Sequence, residues 1–254
     1  MYCSVNMAAA GLYTIGGSFW EFGEPDWDRT KYFMMFDVAE DHDSNPIKKG
    51  IGKVKSRKDT KYISVNPIQT GYAAIADEWL GIRPGTDGLF VGALIAELLK
   101  SEQIDWEFLT RYTNSPWLVI DDPGSAKHGL FARDEAEKSL CYDLEKAAVT
   151  ELIVGKSKPA LIGSFKLSDG TKVVPAFQHI LEEFLGDDYE LSKVEKETGI
   201  KAIDIERIAA EMAEVAFSEE IIIDEKWTDS YGNEHDKFIG RPISFHAMRG
   251  IAAH

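Results

Sequence analysis

Two short apolar runs do most to limit what this chain can fold into. Between Lys31 and Asp37 the residues Tyr32-Phe33-Met34-Met35-Phe36 carry no charge and no polar alternation. A run of that length with no polar face predicts a strand buried on both sides, as in a parallel sheet. The second run, Lys61-Tyr62-Ile63-Ser64-Val65, is β-branched and aromatic. It stops at Asn66-Pro67, because a residue before proline avoids the helical region. A polar loop over residues 40–46 and a helix expected over residues 47–55 supply the crossover that two parallel strands need. Such a βαβ unit is right-handed almost without exception.

Further along, residues 79–82 predict another short strand, Arg83-Pro84-Gly85-Thr86-Asp87 a tight turn, and residues 88–99 a strongly apolar helix. Residues 190–198 form a further expected helix with Gly199 as its left-handed cap. In the helix expected over residues 204–216, Ile205, Ile208, Ala209, Met212 and Ala216 fall on one face. Residues 7–13 form an Ala-rich helical turn leading into a glycine and aromatic loop, which packs on its own core or lines a funnel. Residues 121–175 lose periodicity and are rich in Gly, Lys and Asp, as in surface hairpins. The pattern predicts an α/β fold: a doubly wound, mostly parallel Rossmann-like sheet with flanking helices and an irregular insertion. The expected organisation is a short preceding region, residues 1–30, and an α/β domain over residues 31–254 with its insertion at 121–175.

Composition removes several functions. Lys and Arg number 28 against 43 Asp and Glu, a net charge of −15, which repels phosphate backbones and anionic membranes. No apolar run approaches the ~18 residues of a membrane span. No leader is visible, which favours the cytoplasm over the periplasm. Cys3 and Cys141 are the two cysteines; they make neither a disulfide framework nor a metal motif. No Gly-x-Gly-x-x-Gly follows a strand, which argues against a nicotinamide dehydrogenase. The first and last residues read as cuts in a longer protein.

Sheets of this kind bind ligands beyond the carboxyl ends of their strands, so the loops after Val38 and Val65 carry the interest. Asn66, Pro67 and Gln69 stand at a strand end where a nucleotide would lie. Gly85, Thr86 and Asp87 turn into a helix N-terminus, whose N–H groups and dipole favour phosphate. The Asp87 carboxylate suits the adjacent N1–H and N2–H₂ donors of guanine. The same turn also serves as a plain helix cap with no ligand.

Taken together, Asn66-Pro67, Ala76-Asp77-Glu78-Trp79, Ile82-Arg83-Pro84-Gly85-Thr86-Asp87 and the apolar helix that follows resemble the molybdopterin oxidoreductases of the dimethyl sulfoxide reductase family. The resemblance continues in Phe108-Leu109-Thr110-Arg111-Tyr112-Thr113, in Thr198-Gly199-Ile200, in Ile205-Glu206-Arg207-Ile208-Ala209 and in Met248-Arg249-Gly250. It covers nearly all of the chain outside residues 121–175. It implies a bis-molybdopterin guanine dinucleotide cofactor with molybdenum, one guanine arm of which Asn66, Pro67, Gln69, Gly85, Thr86 and Asp87 would hold. The chain has Asn-Pro-Ile where the family more commonly has Asp-Pro-Arg, which removes a charged donor at Ile68. The loop after the first strand keeps a glutamate, Glu40, but lacks the glycine and asparagine of the family's Gly-x-Asn-x-x-Glu.

The resemblance further implies that Cys3 is the molybdenum ligand. It stands at the family's distance ahead of the first strand, and a thiolate is a soft donor for such a metal; the other reading is a small buried cysteine. Cys141 has no such match. His246, Arg249 and His254 would lie beside the metal, with arginine binding an oxyanion substrate and histidine moving protons; both types are also common on surfaces. The family carries an iron–sulfur cluster in an N-terminal region and a barrel-like C-terminal domain, neither of which is in this sequence. The isolated chain is therefore expected to hold little cofactor and to show no turnover. For the parent, the resemblance implies a small substrate, an iron–sulfur electron-transfer subunit plus a membrane anchor subunit. Sulfur oxyanions are preferred to formate as the substrate. The alternative is a non-catalytic α/β nucleotide-binding or scaffold domain.

Overall fold

A computed structural model of the protein describes residues 3–14, 24–38, 46–229 and 232–247. Its helices are α1 (Cys3–Thr14), α2 (Pro46–Ser56), α3 (Asp87–Lys100), α4 (Trp106–Tyr112), α5 (Ala176–Phe184), α6 (Leu191–Thr198) and α7 (Ala202–Ser218). Its strands are β1 (Tyr32–Phe36), β2 (Lys61–Val65), β3 (Glu78–Leu80), β4 (Leu118–Ile120), β5 (Leu140–Asp143), β6 (Ala148–Glu151), β7 (Phe165–Lys166), β8 (Lys172–Pro175), β9 (Ile221–Ile223), β10 (Trp227–Thr228), β11 (Glu234–His235), β12 (Phe238–Gly240) and β13 (Ile243–Ala247). The chain divides into two compact units, one of Met1–Leu98 with Asp188–His254 and one of Leu99–Asp187.

In the first unit β13, β1, β2 and β3 lie side by side in that order, all parallel. The fold is α/β. Side chains alternate across a strand, so β1 feeds two cores. Tyr32, Met34 and Phe36 join Ile63, Val65 and Leu80 against Phe90 and Leu94 of α3 and Ile205, Ile208 and Met212 of α7. Phe33 and Met35 join Tyr62 against Ile51 and Val54 of α2. No β1 side chain is more than 4% exposed, which is why the run has no polar face. Burying each such side chain contributes roughly 1.5–3 kcal/mol. The Trp27 ring lies on α2 over Gly50, where a Cβ would meet it at 2.3 Å.

The amino edge of this sheet is closed by charge. Arg207 of α7 donates to Glu78 at 3.1 Å and to Glu211 at 2.9 Å. Lys61 pairs with Glu78 at 3.0 Å and with Glu211 at 2.5 Å, and the Tyr32 hydroxyl donates to Glu211 at 3.1 Å. Arg207, in one of the stretches that carry the family resemblance, thus ties α7 to β3.

The second unit is antiparallel. β4, β8 and β7 form one ladder and β5 with β6 a hairpin. Its core is small: Leu118, Ile120, Ala132 and Val173. Turn carboxylates do much of the shaping. Asp134 accepts from the N–H groups of Ala136 at 2.9 Å and Lys138 at 2.8 Å, and Asp143 from Glu145 at 3.0 Å. Cys141 is fully buried on β5, and burial pushes its thiol pKa up. No described helix is long and apolar enough to cross a membrane.

Candidate functional site at the carboxyl edge of the sheet

Three loops leave the first sheet at the same edge. β1 runs into Asp37, whose N–H donates to Val65 O at 3.0 Å. β2 runs into Asn66, whose N–H donates to Leu80 O at 3.1 Å. β3 runs through Ile82 and Arg83 into the turn that starts α3. Because the strands are parallel and hydrogen-bonded in register, their carboxyl ends share one rim.

The Pro-Gly-Thr-Asp turn is formed as its residues dictate. Thr86 N–H returns to Arg83 O at 3.3 Å, and Gly85 has φ +80°, the left-handed conformation that a proline-glycine turn places at its third residue. The Thr86 hydroxyl donates to Arg83 O at 2.8 Å, and Thr86 O accepts from Leu89 and Phe90, both at 3.1 Å. Thr86 therefore opens α3, and Asp87 is its first residue. Arg83 is structural: its guanidinium donates to Lys196 O at 2.5 Å and Glu197 O at 3.2 Å, at the end of α6. Asn66 is also partly committed, since its Oδ1 accepts from Ile68 N–H at 3.2 Å and its carbonyl from the Trp79 indole at 2.8 Å. Pro67 is half-buried, and Ile68 and Gln69 are exposed.

Two carboxyl groups are buried at this rim. Asp87 is 4% and Asp37 9% exposed. Asp87 Oδ1 and Asp37 Oδ2 have no hydrogen-bond partner among the described residues. Burial first, then the hydrogen bond and charge of Asp87, push the Asp37 carboxyl up to about 7. Asp37 also has φ +48°, a region that non-glycine residues enter at a cost of roughly 1–2 kcal/mol. The sequence points to Asp87 and marks Asp37 only as the charged end of an apolar run. The signal available is the loop's first residue, where the family pattern opens on glycine.

The remaining candidates are distributed as follows. His246 lies on β13 in register with Met35 of β1; its ring is 6.2 Å from Trp27, and burial pushes its pKa down. Its Nε2 has no partner among the described residues. Cys3 begins α1, but its side chain lies outside the described residues, as do Glu40, Arg249, His254 and the loop of residues 15–23. No group of three or more His, Cys, Asp or Glu able to hold a metal occurs among the described residues.

No family model matches the chain. It is 46% identical over 262 residues to a sulfite dehydrogenase subunit of Allochromatium vinosum, a match that takes in 100% of this chain and 27% of that protein. It is 34% identical over 182 residues to the dimethyl sulfoxide reductase DmsA of Haemophilus influenzae, covering 63% of this chain and 22% of the relative. The nitrate-inducible formate dehydrogenase major subunit of Escherichia coli is 36% identical over 86 residues. The chain thus spans about a quarter of the length of the first of these relatives and less of the others. Among solved structures, acetylene hydratase from Pelobacter acetylenicus shares the fold, with a TM-score of 0.51 and 13% identity over 98% of this chain and 22% of that one.

Proposed function

The chain belongs to the molybdopterin oxidoreductases of the dimethyl sulfoxide reductase family, and from that premise we propose that the rim formed by Asn66, Pro67, Gln69, Gly85, Thr86 and Asp87 holds a guanine dinucleotide arm of the cofactor. Family membership implies a molybdopterin cofactor; the guanine dinucleotide form is our reading. The observation that carries it is a buried carboxyl group, Asp87, with an oxygen that no described residue satisfies. A buried acceptor left without a donor costs about 1–3 kcal/mol, and guanine's N–H edge would supply donors. The α3 N-terminus beside it offers N–H groups to a phosphate. The residues present fit the group.

Three further assignments belong to this reading. The four-strand sheet, with helices on both faces, is the core of a doubly wound Rossmann-like domain over residues 31–254, preceded by residues 1–30 and carrying an irregular insertion at 121–175. Cys3 is the metal ligand, and Glu40, His246, Arg249 and His254 line the cofactor and substrate side. The parent protein acts on a small sulfur oxyanion, with electrons passing to iron–sulfur centres and a membrane anchor subunit completing the assembly. When bound, the molybdenum centre supplies two-electron chemistry on the substrate, and the protein positions and tunes it.

Titration of the chain with GDP and ADP, followed by calorimetry, tests the rim. GDP binds more tightly than ADP, and Asp87→Asn removes the difference. Equal binding of both nucleotides, or none, removes the guanine assignment. Cys3→Ala in the full-length protein abolishes turnover and leaves folding intact. Retained turnover removes the ligand assignment and leaves the guanine site standing.

A further inference from the structure

Asp37 holds two unfavourable features at one residue: a desolvated carboxyl group and a left-handed backbone. Strain of this kind persists where the surroundings over-determine it, and an observed outlier is a fair start for a functional hypothesis. The surroundings here are specific. On either side of β1 its last residue, Phe36, is in register with Val65 of β2 and Ala247 of β13, both uncharged. Phe36 meets Phe90 of α3 with ring centroids 6.3 Å apart, which brings the end of β1 to the first turn of α3. From α3 comes Asp87, which among the described residues is the ionisable group that acts on Asp37.

We propose that Asp37 and Asp87 bind the guanine edge as one unit, each giving one carboxyl oxygen to one of two adjacent N–H donors. The proposal rests on the guanine reading above and changes its chemistry. A lone carboxylate would accept both donors with its own two oxygens. Asp87 has one of its oxygens unpartnered, Oδ1, and the matching unpartnered oxygen is Asp37 Oδ2; after burial, Asp87 is the group that acts on the Asp37 carboxyl. Two adjacent buried carboxylates do not both ionise readily, so one proton bridges them. The pair then carries a single negative charge and leaves two buried acceptors, Asp87 Oδ1 and Asp37 Oδ2, for a ligand's donors. That array suits neighbouring donors such as guanine N1–H and N2–H₂. It does not suit adenine, whose edge places an acceptor beside its amino group.

The test uses GDP and IDP as probes, IDP lacking the 2-amino group. Wild type binds GDP about tenfold more tightly than IDP, since one buried oxygen is left without a donor. Asp37→Gly, a residue at ease at positive φ, is expected to fold and to lose roughly tenfold or more in GDP affinity. Asp37→Asn retains most of it, because the amide nitrogen can donate to Asp87 in place of the bridging proton while the amide oxygen still accepts. Carbon-13 titration of the aspartate carboxyl groups is the readout without nucleotide: Asp37 keeps its proton to near neutral pH.

If Asp87→Asn loses GDP and Asp37→Gly does not, the pair is wrong and the guanine site stands. If wild type fails to bind GDP, both fall. An Asp37 that titrates as an ordinary surface carboxyl overturns the pair whatever the nucleotide does.

Discussion

The two compact units reach order by different physics. The sheet unit is organised by burial: five consecutive β1 residues are at most 4% exposed, and both faces of the sheet are covered by helices. The Leu99–Asp187 unit is organised by local chemistry, with a core cluster of four buried residues, turn aspartates that accept backbone N–H groups, and glycines at positive φ at positions 129, 155, 163 and 170. A burial-organised unit can place unsatisfied carboxyl groups at one rim because its packing holds them there. In the turn-organised unit the carboxylates of Asp134, Asp143 and Asp169 are satisfied by backbone N–H groups of their own turns. In this molecule the candidate site lies in the first kind.

The largest expected effects test that contrast directly. Phe33→Ala removes a ring packed against Trp27 and Tyr62, both at 5.3 Å between centroids, and should cost about 3–5 kcal/mol. Leu118→Ala, fully buried between strands of the second unit, should cost about 2–5 kcal/mol. Hydrogen exchange of the backbone amides locates each loss. Phe33→Ala should loosen β1 and β2, and Leu118→Ala should loosen the β4–β8–β7 ladder while β1 and β2 keep their protection. Loss of protection in both units from either substitution would mean that the cores do not answer separately.

The next effect is confined to the rim. Asp37 titrates near 7 in the folded chain against an ordinary 3.8, so the folded state keeps a proton that the unfolded state has released over that interval. Stability from this group is complete below about pH 4 and is lost as pH rises through about 7. Asp37→Asn should flatten the dependence over that interval, read as denaturant midpoints at successive pH values. A wild-type midpoint that rises across it would contradict a protonated carboxyl at the rim.

The same division explains what the sequence discloses. β1 follows from its unbroken apolar run, β2 from its aromatic and β-branched residues ending at Asn66-Pro67, and α7 from apolar residues spaced on one helical face, because burial writes itself into residue type. β13 does not: Ile243-Ser244-Phe245-His246-Ala247 mixes polar and apolar residues, and Phe245 is 51% exposed. Helical spacing would group His246 with Arg249, whereas a strand sends neighbouring side chains to opposite faces. At the site, Asp87 is legible from its turn, since proline, glycine and threonine dictate the local backbone. Asp37 is not, because a carboxyl group buried by distant elements leaves no mark on its neighbours in sequence. In the second unit α5 is equally hard to read, a nine-residue segment after Pro175 with one buried member, Phe177.

A smaller effect belongs to the turns. Gly170 has φ +88° and open space where a Cβ would stand, so Gly170→Ala meets no clash and isolates backbone strain of about 1–2 kcal/mol. Gly52→Ala, in α2 of the sheet unit and also in open space, should instead stabilise by about 0.5–1 kcal/mol. Opposite signs in thermal or denaturant midpoints are the expected outcome, and equal signs would remove backbone conformation as the reason for the glycine in the second unit.

The smallest effect separates two helices. α4 is seven residues long and buries none of them. Beyond the Trp106 ring against Phe177 of α5 at 5.6 Å between centroids, its contacts are local: the Asp105 carboxylate accepts from Phe108 N–H at 2.9 Å, and Arg111 pairs with Glu107 at 2.9 Å. The exposed pair is worth about 0.3–0.5 kcal/mol, so the cap carries more than the pair does. α7 buries six residues, and its N-cap residue Lys201 makes no side-chain cap bond; the N–H of its first residue, Ala202, donates instead to the Glu195 carboxylate of α6 at 2.8 Å. Asp105→Ala should therefore cost about 1 kcal/mol and raise amide exchange across the first turn of α4. Lys201→Ala, at the corresponding position of α7, should stay within about 0.5 kcal/mol. If both substitutions fray their helices equally, local bonds matter as much in the sheet unit as in its neighbour, and the distinction between the two units fails at the level of single helices.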